Sequence, residues 1–290
     1  MSIIISALVS FLVSGITCLA VLSIWKKRCF GEGKNQQVPT MESENKEEVS
    51  FSEHHSLPRK DFTFDNFFTD DPTFIEKMKS LLDNHSSSNP LILNGPSGIG
   101  KTHLMKAFEN YLLEKDSSKK ICRVSADAFS NEFIESIQSK KTMKFRAKYR
   151  NLDVLFIDNF EYFENKSGVQ TELFNIISEL LEKQVFVCLA FTSSYSLDNG
   201  FSEKLVNLIS GLRIDIPEPG FESKRRKIMQ IFENANCYIN GDLVDYLARP
   251  DTSMNELAGT CKRIILMKGL EGKGCVNLEI DEVKPLLNHS

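Results

Sequence analysis

Gly95-Pro96-Ser97-Gly98-Ile99-Gly100-Lys101-Thr102 is the stretch on which the fold is read. It fits the spacing G-x-x-x-x-G-K-[ST], follows the apolar run Leu91 to Leu93, and opens a helical pattern from His103 to Leu113. Strand, glycine-rich loop and helix in that order make a phosphate cradle. The glycines let backbone N–H groups converge on phosphate oxygens, and the helix N-terminus adds positive potential. Lys101 is expected to reach the terminal phosphates and the Thr102 hydroxyl to ligate magnesium, with His103 completing the contacts of the loop. The implied cofactors are ATP or ADP with Mg2+.

A second acidic site belongs with the loop. Val154-Leu155-Phe156-Ile157-Asp158 is an apolar strand ending in a carboxylate, which would hold the metal directly or through water. Further apolar runs, Ile121 to Val124, Val185 to Phe191 and Leu212 to Ile216, alternate with helical patterns, as a parallel α/β sheet requires. After Pro217 and Pro219 the strand signals stop. Apolar residues then recur at helical spacing: Ile228, Ile231 and Phe232, then Leu243, Val244 and Leu247, then Leu257, Ile264 and Ile265. The fold class expected is therefore α/β, a P-loop parallel sheet over residues 61–220 with a small all-helical lid over 221–290.

The N-terminus reads differently. Ile3 to Trp25 is about 23 uncharged, mostly apolar residues, enough to cross a hydrocarbon core. Trp25 suits the interface, and Lys26, Lys27 and Arg28 follow at once, so the positive-inside rule directs the bulk of the chain to the cytoplasmic side. A cleaved signal peptide would carry its positive charges before the apolar run, and here that order is reversed. The expectation is a single-pass anchor over 1–26 in the inner (cytoplasmic) membrane, with a flexible polar linker over 27–60.

Composition bounds the partners. A formal net charge of −4 argues against a protein that coats nucleic acid with its whole surface. Seven scattered cysteines without a Cys-x-x-Cys pair read as reduced thiols. The segment Ser136 to Leu152 has no acidic residue and carries Lys140, Lys141, Lys144, Arg146, Lys148 and Arg150, interleaved with Phe145 and Tyr149. It suits phosphate contacts with single-stranded DNA, or else a solvated helix face whose two aromatics enter the core.

Three segments carry a resemblance: Phe62-Thr63-Phe64-Asp65-Asn66-Phe67, the loop ending Gly98-Ile99-Gly100-Lys101-Thr102-His103-Leu104, and Asn131-Glu132-Phe133 through Phe145 to Asn151 and Asp158. From about Asp61 to the end of the helical part, the chain resembles the bacterial replication initiator DnaA and its close kin, the helicase-loader ATPases and Hda-type regulators. The resemblance implies an AAA+ module with a helical lid, in which nucleotide state controls assembly with an AAA+ partner or with itself, and DNA engagement. It also implies a first-sensor residue, here Thr192 or Ser194. Three positions depart from the pattern. Asn159 follows the metal aspartate where the family has a second acid, Asn207 stands at the arginine finger, and Asn255, within Ser253 to Leu257, stands at the second-sensor arginine. Arg213, or Arg225 with Arg226, are the candidate replacements. The chain stops soon after the lid, so no sequence-specific duplex-DNA domain is expected. These departures favour a regulator or adaptor that binds nucleotide with hydrolysis impaired, over an active remodeller of DNA or a membrane scaffold with a structural nucleotide.

Overall fold

In the computed structural model, residues 62–84, 88–192, 200–249, 252–270 and 278–287 are described. The expected membrane span and linker lie outside these residues. Among the described residues no helix is long and apolar enough to cross a membrane.

Five strands form one parallel sheet: β1 (Leu91–Gly95), β2 (Ile121–Ser125), β3 (Val154–Asp158), β4 (Phe186–Thr192) and β5 (Leu212–Asp215), in the order β2-β3-β4-β1-β5. The helices of this layer are α1 (Phe74–Asp83), α2 (Lys101–Lys115), α3 (Ala126–Gln138), α4 (Thr142–Arg150), α5 (Ser167–Glu182) and α6 (Glu203–Leu208), with a 3₁₀ turn at Phe160–Phe163. β1 and β3 are buried at every position, which is why their sequences read as unbroken apolar runs rather than alternations. The pleat still sorts their side chains. Leu155 and Ile157 enter one core with Phe129, Phe133 and Phe163, whereas Val154 and Phe156 enter the other with Phe74, Met78 and Phe108. β5 is an edge strand, largely exposed, and its charged Arg213 and Asp215 discourage pairing with another chain.

This strand order decides where a site forms. β4 lies between β1 and β3, so the carboxyl ends of all three converge, with Gly95 opposite Thr192 and Ile157 opposite Leu189. In open parallel sheets that edge is where ligands bind.

The remaining helices, α7 (Phe221–Asn234), α8 (Gly241–Leu247), α9 (Met254–Leu270) and α10 (Ile280–Leu287), enclose a third core built on Ile228, Phe232, Leu243, Leu257 and Ile264. Two of their N-termini are capped by side chains. Asn240 accepts from the Leu243 N–H at 2.8 Å. Ser253 and Glu256 exchange hydrogen bonds across the first turn of α9, a reciprocal capping box. The helix after the phosphate loop begins at Lys101 rather than at His103, because Gly100 at φ 112° turns the chain directly into it. Among the described cysteines, Cys122, Cys188, Cys237 and Cys261 are free thiols, and burial pushes Cys122 up to about 11 and Cys261 up to about 12.

Candidate functional site

At the carboxyl edge of the sheet lies a cleft of about 430 Å³. Its floor is the loop Ser97 to His103, one wall is the segment Phe62 to Phe68, and the opposite wall is formed by Pro219, Lys227, Met254, Asn255 and Ala258 of the lid side. Gly98 sits at φ +82° and Gly100 at φ +112°, conformations that L side chains rarely adopt. Space is restricted as well: a Cβ on Gly100 would come within 2.9 Å of the Phe67 ring, and one on Gly98 within 3.2 Å of Asn255 Nδ2.

Lys101 is buried within the loop, its Nζ donating to the Gly95 carbonyl at 2.7 Å and the Pro96 carbonyl at 2.9 Å. Burial pushes its ammonium below the usual lysine range, opposed first by Glu161 and then by Asp158. The Thr102 hydroxyl donates to Asp158 Oδ2, while Asp158 Oδ1 accepts from the Asn159 N–H at 3.0 Å. One hydroxyl and one carboxylate in contact form a hard-oxygen pair, the incomplete set that Mg2+ takes when substrate phosphates and water supply the rest. No group of three or more metal-binding side chains is present among the described residues. The residues present thus fit a magnesium-nucleotide.

All but one of the site residues read from the sequence lie among the described residues. Thr192 lines the cleft at the end of β4. Ser194 lies outside the described residues. Asn159 lines the cleft in the left-handed conformation, φ 54° and ψ 48°, which asparagine tolerates better than most residues. Asn255 stands in the first turn of α9, over Gly98. Asn207 is exposed on α6 and does not line the cleft. The candidate replacement arginines are also elsewhere: Arg213 is half exposed, 3.6 Å from Asp215, Arg225 pairs with Asp245 at 2.7 Å, and Arg226 donates to the Thr69 carbonyl at 2.7 Å. No arginine lines the cleft among the described residues.

The basic segment divides. Arg146 makes a two-pronged bond to Glu172 at 2.6 and 2.7 Å, Lys148 pairs with Glu132 at 2.8 Å, and Arg150 with Glu179 at 2.8 Å. Phe145 and Tyr149 are buried, so neither ring offers a stacking face. Lys140, Lys141 and Lys144 are exposed and, among the described residues, carry no ion pair, beside Met143, which is 70% exposed.

Sequence reasoning missed two contributors. Glu161, in the turn after Asp158, accepts a 2.5 Å hydrogen bond from the Thr192 hydroxyl. Lys227 reaches the cleft from α7. His103, which the sequence does place with the loop, is held edge-on to the rings of Phe62 and Phe67, its Nε2 3.2 Å from the Thr63 carbonyl. The pattern Asp-x-x-Glu across a turn was the only signal for Glu161.

Residues 59–215 match the family model described as the bacterial DnaA ATPase domain. The chain belongs to that family. Among its relatives, the chromosomal replication initiator protein DnaA of Latilactobacillus sakei is 30% identical over 242 residues, covering 80% of this chain and 54% of the initiator. The chain thus spans about half the length of such initiators. Domain III of the Thermotoga maritima DnaA superposes with a TM-score of 0.72 at 24% identity, covering 80% of this chain and 97% of that one, a likeness of fold. A replication initiator DnaA bound to AMPPCP and single-stranded DNA superposes with a TM-score of 0.63 at 26% identity, covering 74% and 68% of the two chains.

Proposed function

We propose that this DnaA-family chain binds ATP or ADP with Mg2+ in the cleft and acts as a nucleotide-dependent regulator or adaptor of another AAA+ subunit, in the control of DNA replication initiation. The observation that carries this reading is an intact phosphate cradle in a cleft that no arginine lines among the described residues. Gly98, Gly100, Lys101 and the Thr102–Asp158 pair supply what binding requires. Asn159 and Asn255 offer no charge to the terminal phosphate, and Asn207 offers none to a neighbouring subunit. Loss of a general base typically costs about 10²–10⁴ in rate, and loss of an arginine finger roughly 10³–10⁵. Binding is therefore retained while hydrolysis is impaired, and a partner's arginine would restore it in trans.

Two further parts complete the reading. Lys140, Lys141 and Lys144 are the residues of the basic segment available for single-stranded DNA, a ligand that a DnaA relative holds in its solved complex. The apolar stretch Ile3 to Trp25 with Lys26, Lys27 and Arg28 supports a membrane anchor with the cleft on the cytoplasmic side.

Thermal unfolding of the full chain tests the binding claim. Mg-ATP at a hundredfold excess over Kd should stabilise the folded domain by about 2.7 kcal/mol, and Lys101→Ala should abolish the shift. No shift at millimolar ATP or ADP, or the same shift in Lys101→Ala, overturns it.

A further inference from the structure

The turn after β3 holds a carboxylate that the binding of magnesium does not explain. Asn159, in its left-handed conformation, redirects the chain into the 3₁₀ turn Phe160–Phe163, whose two phenylalanines are fully buried and fix it against the sheet. Glu161 is thereby carried to the end of β4. Its Oε1 accepts the Thr192 hydroxyl at 2.5 Å, and its Oε2 is buried without a hydrogen-bond partner. A carboxylate oxygen left unpaired in a protein interior is costly and calls for an explanation. Glu161 is also the first carboxylate influence on the Lys101 ammonium, ahead of Asp158.

Two consequences follow for a phosphate in the cleft. A threonine hydroxyl has one proton, and here that proton is committed to Glu161, so Thr192 turns only lone pairs toward the cleft. Lone pairs do not hold a phosphate oxygen. The second consequence is electrostatic. At the phosphate end of the cleft, Lys101 faces two carboxylates, Asp158 and Glu161, and the lid side there offers the neutral Asn255. Each further phosphate charge meets Glu161 as a like charge.

Resting on the reading of the cleft as a nucleotide site, we propose that Glu161 is a positioning residue that sets its preference toward a nucleoside diphosphate, by withholding the Thr192 proton from a terminal phosphate. Glu161 acts through Thr192. Replacing it frees the hydroxyl to donate to the third phosphate, a contact that the diphosphate cannot make.

Calorimetric titration of the full chain with Mg-ADP and with Mg-ATP tests this. Wild type should bind Mg-ADP at least as tightly as Mg-ATP. Glu161→Ala should move the ratio of the two dissociation constants toward ATP by about tenfold, the worth of one hydrogen bond to a charged group. Adding Thr192→Val to Glu161→Ala should remove most of that gain. An unchanged ratio in Glu161→Ala, or a gain that survives in the double variant, overturns the proposal. Should Glu161→Ala fail to fold, Thr192→Val alone decides: a change in ATP affinity under about twofold is expected, and a loss near tenfold would show that the hydroxyl already holds the phosphate. Wild type that binds neither nucleotide defeats the reading of the cleft itself, and with it this inference.

Discussion

Asn255 and His103 show how much a single side chain decides in this cleft. Asn255 stands over the loop glycine Gly98, where the family pattern has an arginine, so this position brings no charge to the loop. His103 is the reverse case, a titratable ring whose surroundings lower its affinity for a proton. Burial pushes its imidazole below the ordinary value of 6.5, with Lys227 and Lys106 pushing in the same direction against the Thr63 carbonyl. The unfolded chain then binds the proton more readily than the folded one, so stability rises with pH across that window. The contribution is complete above about pH 6.5 and is lost as the pH falls below it. Urea unfolding between about pH 5 and 7.5 should show this slope, and His103→Gln should flatten it. A slope identical in the variant would assign the dependence to other groups.

At the scale of elements, the helix pair α3–α4 separates charge that is structural from charge that is available. Arg146, Lys148 and Arg150 are tied to Glu172, Glu132 and Glu179, whereas Lys140, Lys141 and Lys144 project at the corner. Replacing the three corner lysines by alanine should weaken single-stranded DNA binding and lower the slope of log affinity against log salt by about two, with the unfolding temperature unchanged. Arg146→Ala should instead lower stability, because it leaves the buried Glu172 uncompensated. The sequence showed the lysine and arginine density but not this division, since the acidic partners of Arg146 and Lys148 are 26 and 16 residues distant. By contrast, β1, β3 and the phosphate loop were legible, because buried parallel strands are uniformly apolar and the loop needs glycines at fixed spacing. The wall Phe62 to Phe68 was legible only as a resemblance. It is fixed by long-range bonds, from Asn110 to the Phe62 carbonyl and from Gln230 to Asn66, and Asp70 accepts from the Ser223 N–H at the start of α7. Glu161 escaped for the same reason: its role depends on the end of β4, and nothing local to residue 161 encodes that.

At the scale of the whole molecule, we propose a membrane anchor joined to a nucleotide cleft that binds without efficient turnover. The anchor has its own test. After carbonate washing the chain should remain in the membrane fraction, with protease reaching the folded domain only from the cytoplasmic face; release of the full chain by the wash would contradict it. The central claim concerns chemistry. Hydrolysis needs an oriented water and a cation over the charge that develops on the terminal phosphate, and no arginine among the described residues lines this cleft. If the proposed function holds, mixing with an arginine-bearing AAA+ partner should raise the rate. The direct measurement is steady-state ATP hydrolysis by the purified chain alone, which should run little above background and recover only weakly in Asn159→Asp. Turnover at about 1 s⁻¹ or faster, in the range of working enzymes, would contradict the account.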